Sequence, residues 1–209
     1  MTKIENYFSK KQEHLDNLRE KLDQDNLLLA TELSDSDLVL AKEMTKEKLL
    51  HSIDNRIFIT SEFPINDFLI RQLVLGKGIY YGNTALYLWN LSDTFPYTIH
   101  IAMPLGYRIP DSRYPDWTKN VHFKQVREPM LSNDVERLDV EGTTKTIQLY
   151  SQERLLVDLV KSRPTDQEQI KQSYRRYLHS KDRNFNQLLV VAKRLKVENK
   201  VRDIMELMI

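Results

Sequence analysis

The sequence predicts an α+β protein. A small N-terminal helical, winged-helix-like domain spans residues 1–62, and a second domain over residues 63–209 carries an antiparallel β-sheet flanked by helices. Three observations lead there. Apolar residues recur every three or four positions over residues 3–24 and again after residue 151. Alternating, β-branched runs are confined to about residues 97–150. Between residues 34 and 60, two N-cap signals each precede a short apolar run, and a strand-like segment follows, giving the order helix–turn–helix–strand.

The elements follow in order. Ile4, Tyr7, Phe8, Leu15, Leu18 and Leu22 make one amphipathic helix, with charges between them. Ser34 caps a helix through Leu38–Ala41, and Thr45 caps a second one through Leu49, Leu50 and Ile53. Arg56–Thr60 reads as a strand. Pro64 breaks the chain, Ile65–Leu75 is helical, and Gly76 and Gly78 end that helix. Thr84–Trp89 is a short apolar helix. Tyr97–Met103, Val121–Val126 and Thr143–Tyr150 are strands, separated by loops at Gly106, Pro110, Pro115 and the Asn133-Asp134 pair. No helix long enough for a crossover lies among them, so the sheet is expected to be mostly antiparallel. The rest is helical. Ser151 starts Leu155–Leu159, the segment Ser162-Arg-Pro-Thr-Asp separates it from Gln167–Leu178, Asn184 starts Gln187–Leu195, and Val197–Ile209 closes the chain.

The 209 residues suffice for one large domain or two small ones. A formal net charge of +1 hides an asymmetry: residues 1–60 hold 9 basic and 12 acidic residues, whereas residues 151–209 hold 13 and 8. A basic face concentrates anionic partners. No apolar run approaches the ~18–20 residues of a membrane span. The polar, acid-containing N-terminal stretch does not read as a targeting peptide, and a cytoplasmic location is expected. The chain has no cysteine, which excludes disulfides, thiolate metal sites and a cysteine nucleophile.

No reaction is announced. The P-loop, nucleophile-elbow and zinc-protease motifs are all missing, and no enzyme activity, cofactor or metal is expected. Five histidines are scattered; His100 and His122 lie in expected strands that can bring them together, but no acidic partner is near in sequence. Asp23 with Asp25 and Asp35 with Asp37 sit where helix caps belong. Tyr80, Tyr81 and Trp89 fit a binding surface or the core, and beside a glycine-bounded helix core is the simpler reading. Glu153, Arg154 and Asp158 are spaced to pair along one helix and fix its orientation.

One stretch is more specific. Gly78-Ile-Tyr-Tyr-Gly-Asn-Thr-Ala-Leu-Tyr-Leu-Trp-Asn-Leu-Ser-Asp93, then Pro96-Tyr-Thr-Ile-His-Ile-Ala-Met-Pro-Leu-Gly-Tyr107, resembles the central signature of the AbiEi antitoxins of AbiE abortive-infection toxin–antitoxin systems. Leu149–Arg163, Tyr174–Leu188 and Ala192–Arg202 resemble three further segments of that family, in the same order. The resemblance covers about residues 56–209. It implies an N-terminal DNA-binding winged helix, repression of the protein's own operon at inverted repeats, and neutralisation of a toxin with a nucleotidyltransferase fold. The family is described as type IV, in which antitoxin and toxin need not form a stable complex. His51–Thr60 is shorter than the family's wing, so a reduced wing is expected. A protein-interaction antitoxin without DNA binding is the competing expectation.

Two sets of residues are expected to meet nucleic acid. In the first, Thr45–Ile53 serves as the recognition helix, presenting Lys46, Lys48 and His51 to a groove while Arg56 reaches a phosphate. In the second, Arg175, Arg176, Lys181 and Arg183 gather around one helix end, and Lys193, Arg194, Lys196 and Lys200 around the next. An anionic partner is expected there, and operator DNA, an RNA bound by the toxin and an acidic toxin face all fit.

Overall fold

A computed structural model of the chain describes residues 2–110, 113–161 and 167–208. The expected break at residues 162–166 lies outside the described residues. The chain forms two compact units, residues 1–76 with 138–147, and residues 77–137 with 148–209. The boundary read from sequence after residue 62 therefore falls inside the first unit, which also takes in the helix that follows and a distant hairpin tip.

The first unit opens with helix α1 (Lys3–Asp25), started by a capping box between Thr2 and Glu5. Strand β1 (Leu27–Leu29) follows, then a 3-10 turn at Ala30–Glu32 and helix α2 (Asp35–Lys46), capped by the Ser34 side chain on the Asp37 N–H. Strands β2 (His51–Ile53) and β3 (Ile57–Ile59) form a hairpin. Asp54 and Asn55 turn it, both in the left-handed region that such tight turns demand. The antiparallel sheet has the order β1-β3-β2. Helix, strand, short helix, helix and a two-stranded hairpin over that sheet order is winged-helix connectivity. Leu18, Leu28, Leu40, Ala41, Leu50 and Phe58 form its core.

The second helix expected over Thr45–Ile53 does not form. Instead α2 continues to Lys46 and stops in a Schellman motif: the Lys48 N–H donates to the Thr45 carbonyl (3.1 Å) and the Leu49 N–H to the Met44 carbonyl (2.9 Å). Lys48 sits at φ +62°, which turns the chain into β2. Thr45 is no cap; its hydroxyl donates back to the Ala41 carbonyl at 2.9 Å.

Helix α3 (Asp67–Leu75) ends at left-handed Gly76, as expected. The hairpin tip closes the unit over α1. The Asp25 carboxylate accepts from the Thr144 N–H at 2.6 Å and the Thr143 hydroxyl at 3.2 Å. Burial alone would raise the Asp25 carboxyl, but these bonds and the Lys145 charge outweigh it and hold it below its ordinary value. Between α1 and α2, buried Asp37 meets the His14 ring at 2.8 Å. Its carboxyl also lies low, because hydrogen bonds from Ser34 and His14 and nearby positive charge outweigh burial.

The second unit is built on strands β4 (Ile79–Tyr80), β5 (Ile99–Pro104), β6 (Val121–Val126), β7 (Val135–Asp139) and β8 (Thr146–Tyr150), in the order β6-β5-β4-β8-β7. Helix α4 (Gly82–Leu88) follows β4, and the one-turn α5 (Pro115–Thr118) lies between β5 and β6. The sheet is mixed rather than mostly antiparallel. β4 pairs antiparallel with β5, but β5–β6 and β4–β8 are parallel. The β5–β6 connection, which carries α5, supplies the crossover that the sequence reading required of a long helix. Gly78 is obligatory at the entry to β4: a Cβ there would lie 2.6 Å from the Ile101 side chain.

Helices α6 (Gln152–Lys161), α7 (Gln167–His179), α8 (Phe185–Arg194) and α9 (Glu198–Met208) complete the unit. Asp134, left-handed just before β7, anchors α6 and α8. Its carboxylate is only 3 % exposed and pairs with both Arg154 of α6 and Arg194 of α8. Its carbonyl accepts the Ser151 N–H at 2.8 Å. Arg154 also reaches Asp158 (2.9 Å) and stacks over the Tyr150 ring (4.7 Å). Glu153 accepts from the Tyr177 hydroxyl at 2.8 Å, and that hydroxyl oxygen accepts the Asn184 N–H at 2.7 Å. The Ser151–Asp158 segment thus does the structural work its spacing suggests.

Asp134→Asn keeps the left-handed backbone and removes only the charge, leaving Arg154 with Asp158 alone. We expect a loss of about 3 kcal/mol in urea unfolding. Arg194→Gln, at a half-exposed position, is expected to cost under about 1 kcal/mol. Equal losses would contradict the central place given to Asp134.

Candidate functional site

In the first unit the exposed face of α2 is offered by Ser36, Val39, Lys42, Glu43 and Lys46. Glu43 is met by Lys11 of α1 at 3.8 Å, and Lys42 and Lys46 are exposed on the last turns with Glu47 exposed beside them at the helix end. Lys48 stands exposed at the left-handed position that ends the helix, and His51 is exposed at the start of β2. The structure thus brings Lys46 and Lys48 to one helix end, but places His51 on a strand. Arg56 follows the hairpin turn, and its guanidinium donates to the Val74 carbonyl at 3.3 Å, so part of it is committed to the fold. Lys42 escaped the sequence reading; its signal was the i, i+4 spacing to Lys46 on a helix capped at Ser34.

The second set divides. Arg194 is held by Asp134, and Arg176 pairs with Asp93 and donates to the Asn90 carbonyl at 3.0 Å. Arg183 donates to the Ser180 carbonyl (2.9 Å) and lies over the Phe185 ring (5.9 Å). These three arginines therefore spend part of their bonding capacity inside the molecule. Arg175, Lys181, Lys193, Lys196 and Lys200 are exposed. Lys193, Lys196 and Lys200 line a groove of about 390 Å³ at the corner between α8 and α9. That corner is a second Schellman motif: the Lys196 N–H donates to the Lys193 carbonyl (3.1 Å) and the Val197 N–H to the Ala192 carbonyl (2.9 Å). Lys196, at φ +62°, occupies the position where glycine is usual.

A third feature lies between β5 and β6. Parallel pairing puts His100 opposite His122, with ring centroids 5.5 Å apart. Tyr81 packs edge-on against His100 at 5.3 Å, and its hydroxyl lies 2.6 Å from His122 Nδ1. Burial pushes the Tyr81 phenol up to about 12, assisted by Tyr150, so it keeps its proton. Burial, with the neighbouring His122, holds His100 below the ordinary histidine range. Both histidines line a cavity of about 360 Å³ that Phe95 and Tyr97 flank. No cluster of three or more His, Cys, Asp or Glu suited to a metal occurs among the described residues. The proximity of the two histidines was legible as strand pairing. Tyr81 was assigned to the core, and the roles of Phe95 and Tyr97 carried no sequence signal until the loops were placed. Tyr80 is fully buried, and the Trp89 indole N–H donates to the Tyr150 carbonyl at 2.9 Å, so both serve the core.

Compared with known families, the chain matches no family model. It matches no curated protein either. Among the described residues, no helix is long and apolar enough to cross a membrane.

Replacing Lys196 by glycine relieves the left-handed strain, partly offset by the looser unfolded chain. The expected net gain is about 0.5 kcal/mol, read as a higher thermal midpoint. A loss of stability would mean that the Lys196 side chain is itself part of the fold.

Proposed function

We propose that the protein is a non-catalytic, cytoplasmic antitoxin of the AbiE type, which represses its own operon and neutralises a toxin with a nucleotidyltransferase fold. The observation that carries this reading is the winged-helix connectivity of the first unit, found where the sequence resemblance calls for a DNA-reading domain. It replaces the expected recognition helix with α2. Ser36 and Val39 on its exposed face suit a base edge and a thymine methyl group, and a major groove admits a helix of this kind. Lys42, Lys46 and Lys48 hold phosphates at its C-terminal end, and His51 adds a contact from the short wing. The cations of the second unit, Lys193, Lys196 and Lys200 foremost, are assigned to an anionic partner during neutralisation.

The competing reading, an interaction module that has lost DNA binding, draws on the acid excess of residues 1–60 and the three-residue strands of the wing. Gel-shift titration of the full chain on the DNA upstream of its own reading frame, at several salt concentrations, separates the two. Repressor action predicts specific binding that falls steeply with salt. Changing Lys42, Lys46 and Lys48 together to alanine should flatten the slope of log K against log salt by about 2.7, three phosphate contacts' worth. Absence of any sequence-specific shift at low salt would eliminate the repressor half. Co-expression with the toxin would then measure the other half separately.

A further inference from the structure

We propose that the cavity at the β5–β6 edge of the second unit binds a nucleotide, a planar heterocyclic base carrying phosphate. This inference does not rest on operator binding by the first unit. The walls divide by chemistry. Phe95 and Tyr97 stand 49 % and 83 % exposed, edge-to-face at 5.6 Å, and Tyr87 packs edge-on behind Phe95 at 5.4 Å. Two large adjacent aromatics held open to water at the mouth of a cavity are a stacking platform, and every base has a face to offer it.

The floor supplies directional groups. The Tyr81 hydroxyl and His122 Nδ1 lie 2.6 Å apart, so that hydrogen bond engages Nδ1, and Nε2 is the other polar atom of the His122 ring. His100 Nδ1 is buried and has no hydrogen-bond partner among the described residues. Two neighbouring imidazoles on the cavity wall supply ring nitrogens that can pair with a base edge or donate to phosphate oxygens. Asn83 spends its carbonyl oxygen on Gln169 (2.9 Å), which leaves its NH₂ group to donate.

Charge selects an anion. Among the described residues, no carboxylate lines the cavity. Lys124 lies two residues beyond His122, hence on the same face of β6, with its ammonium 5.6 Å from the Tyr81 ring. A volume of about 360 Å³ is at the small end of the range for small-molecule sites. It accommodates one nucleotide unit, whether free or at the end of a single strand.

The test is calorimetric titration of the full chain with AMP, GMP, CMP and UMP, with ribose 5-phosphate as the base-less control, and with a single-stranded pentanucleotide. At least one mononucleotide should bind, with ribose 5-phosphate about ten-fold weaker or more. Tyr97→Ala, at a side chain so exposed that the fold does not need it, should weaken binding about ten-fold. Lys124→Ala should weaken the mononucleotide but not the matching nucleoside. Tighter binding of the pentanucleotide, also sensitive to Tyr97→Ala, would identify a strand end as the source, and equal or weaker binding a free nucleotide. The proposal is overturned if no nucleotide or pentanucleotide binds at concentrations up to about 5 mM. It is equally overturned if Tyr97→Ala and Lys124→Ala leave the affinities unchanged.

Discussion

The second unit depends on one buried carboxylate. Asp134 joins the start of β7 to α6 through Arg154 and to α8 through Arg194, while its carbonyl holds the residue that caps α6. Taking charges from water is costly and is repaid only by close, multiple pairing. Arg154 meets that condition with two carboxylates and an aromatic face. The same constraint limits function. An arginine that neutralises Asp134 or Asp93 has less to offer a phosphate, so the basic excess of the C-terminal helices overstates the charge available outside. The exposed lysines of α8 and the α8–α9 corner, Lys193, Lys196 and Lys200, show no side-chain ion pair among the described residues and set the outward potential there.

Helix termination links the two units in kind. Both α2 and α8 end in Schellman motifs whose left-handed residue is a lysine, Lys48 in one and Lys196 in the other. Glycine would fit the backbone with less strain. Lysine places a cation where the carbonyl ends of the helix dipole gather, which partly compensates. It also fixes the charge at a sharp corner, projecting from a turn rather than lying along a helix side. In the functional account, backbone strain is tolerated at the two places where an anion is to be met.

Much of the architecture was legible because local signals and the final packing agreed. Ser34 and Asn184 each cap the helix they precede, and Gly76 ends α3 in the left-handed conformation, whereas Asn66, the cap that starts α3, falls inside the helix expected from sequence. The failures have physical causes. The stop at Lys48 was hidden because a lysine gives no turn signal, whereas Thr45 gave a false cap signal that tertiary bonding overrode. β7 escaped because its sequence, Val-Glu-Arg-Leu-Asp, lacks the β-branched density of its neighbours. Parallel pairing escaped because a loop with a one-turn helix made the crossover. At the candidate sites, His100 and His122 were found by alternation. The tyrosine that orients one of them, and the aromatics beside the cavity, were brought together only by tertiary folding.

The central claim is that α2 and the short hairpin of the first unit read DNA while the second unit meets a different partner. Amide hydrogen exchange of the full chain, with and without the DNA upstream of its reading frame, tests it most directly. The account predicts new protection concentrated in residues 35–59, with the α7–α9 helices little changed. Protection confined to α7–α9, or none anywhere at low salt, would contradict it.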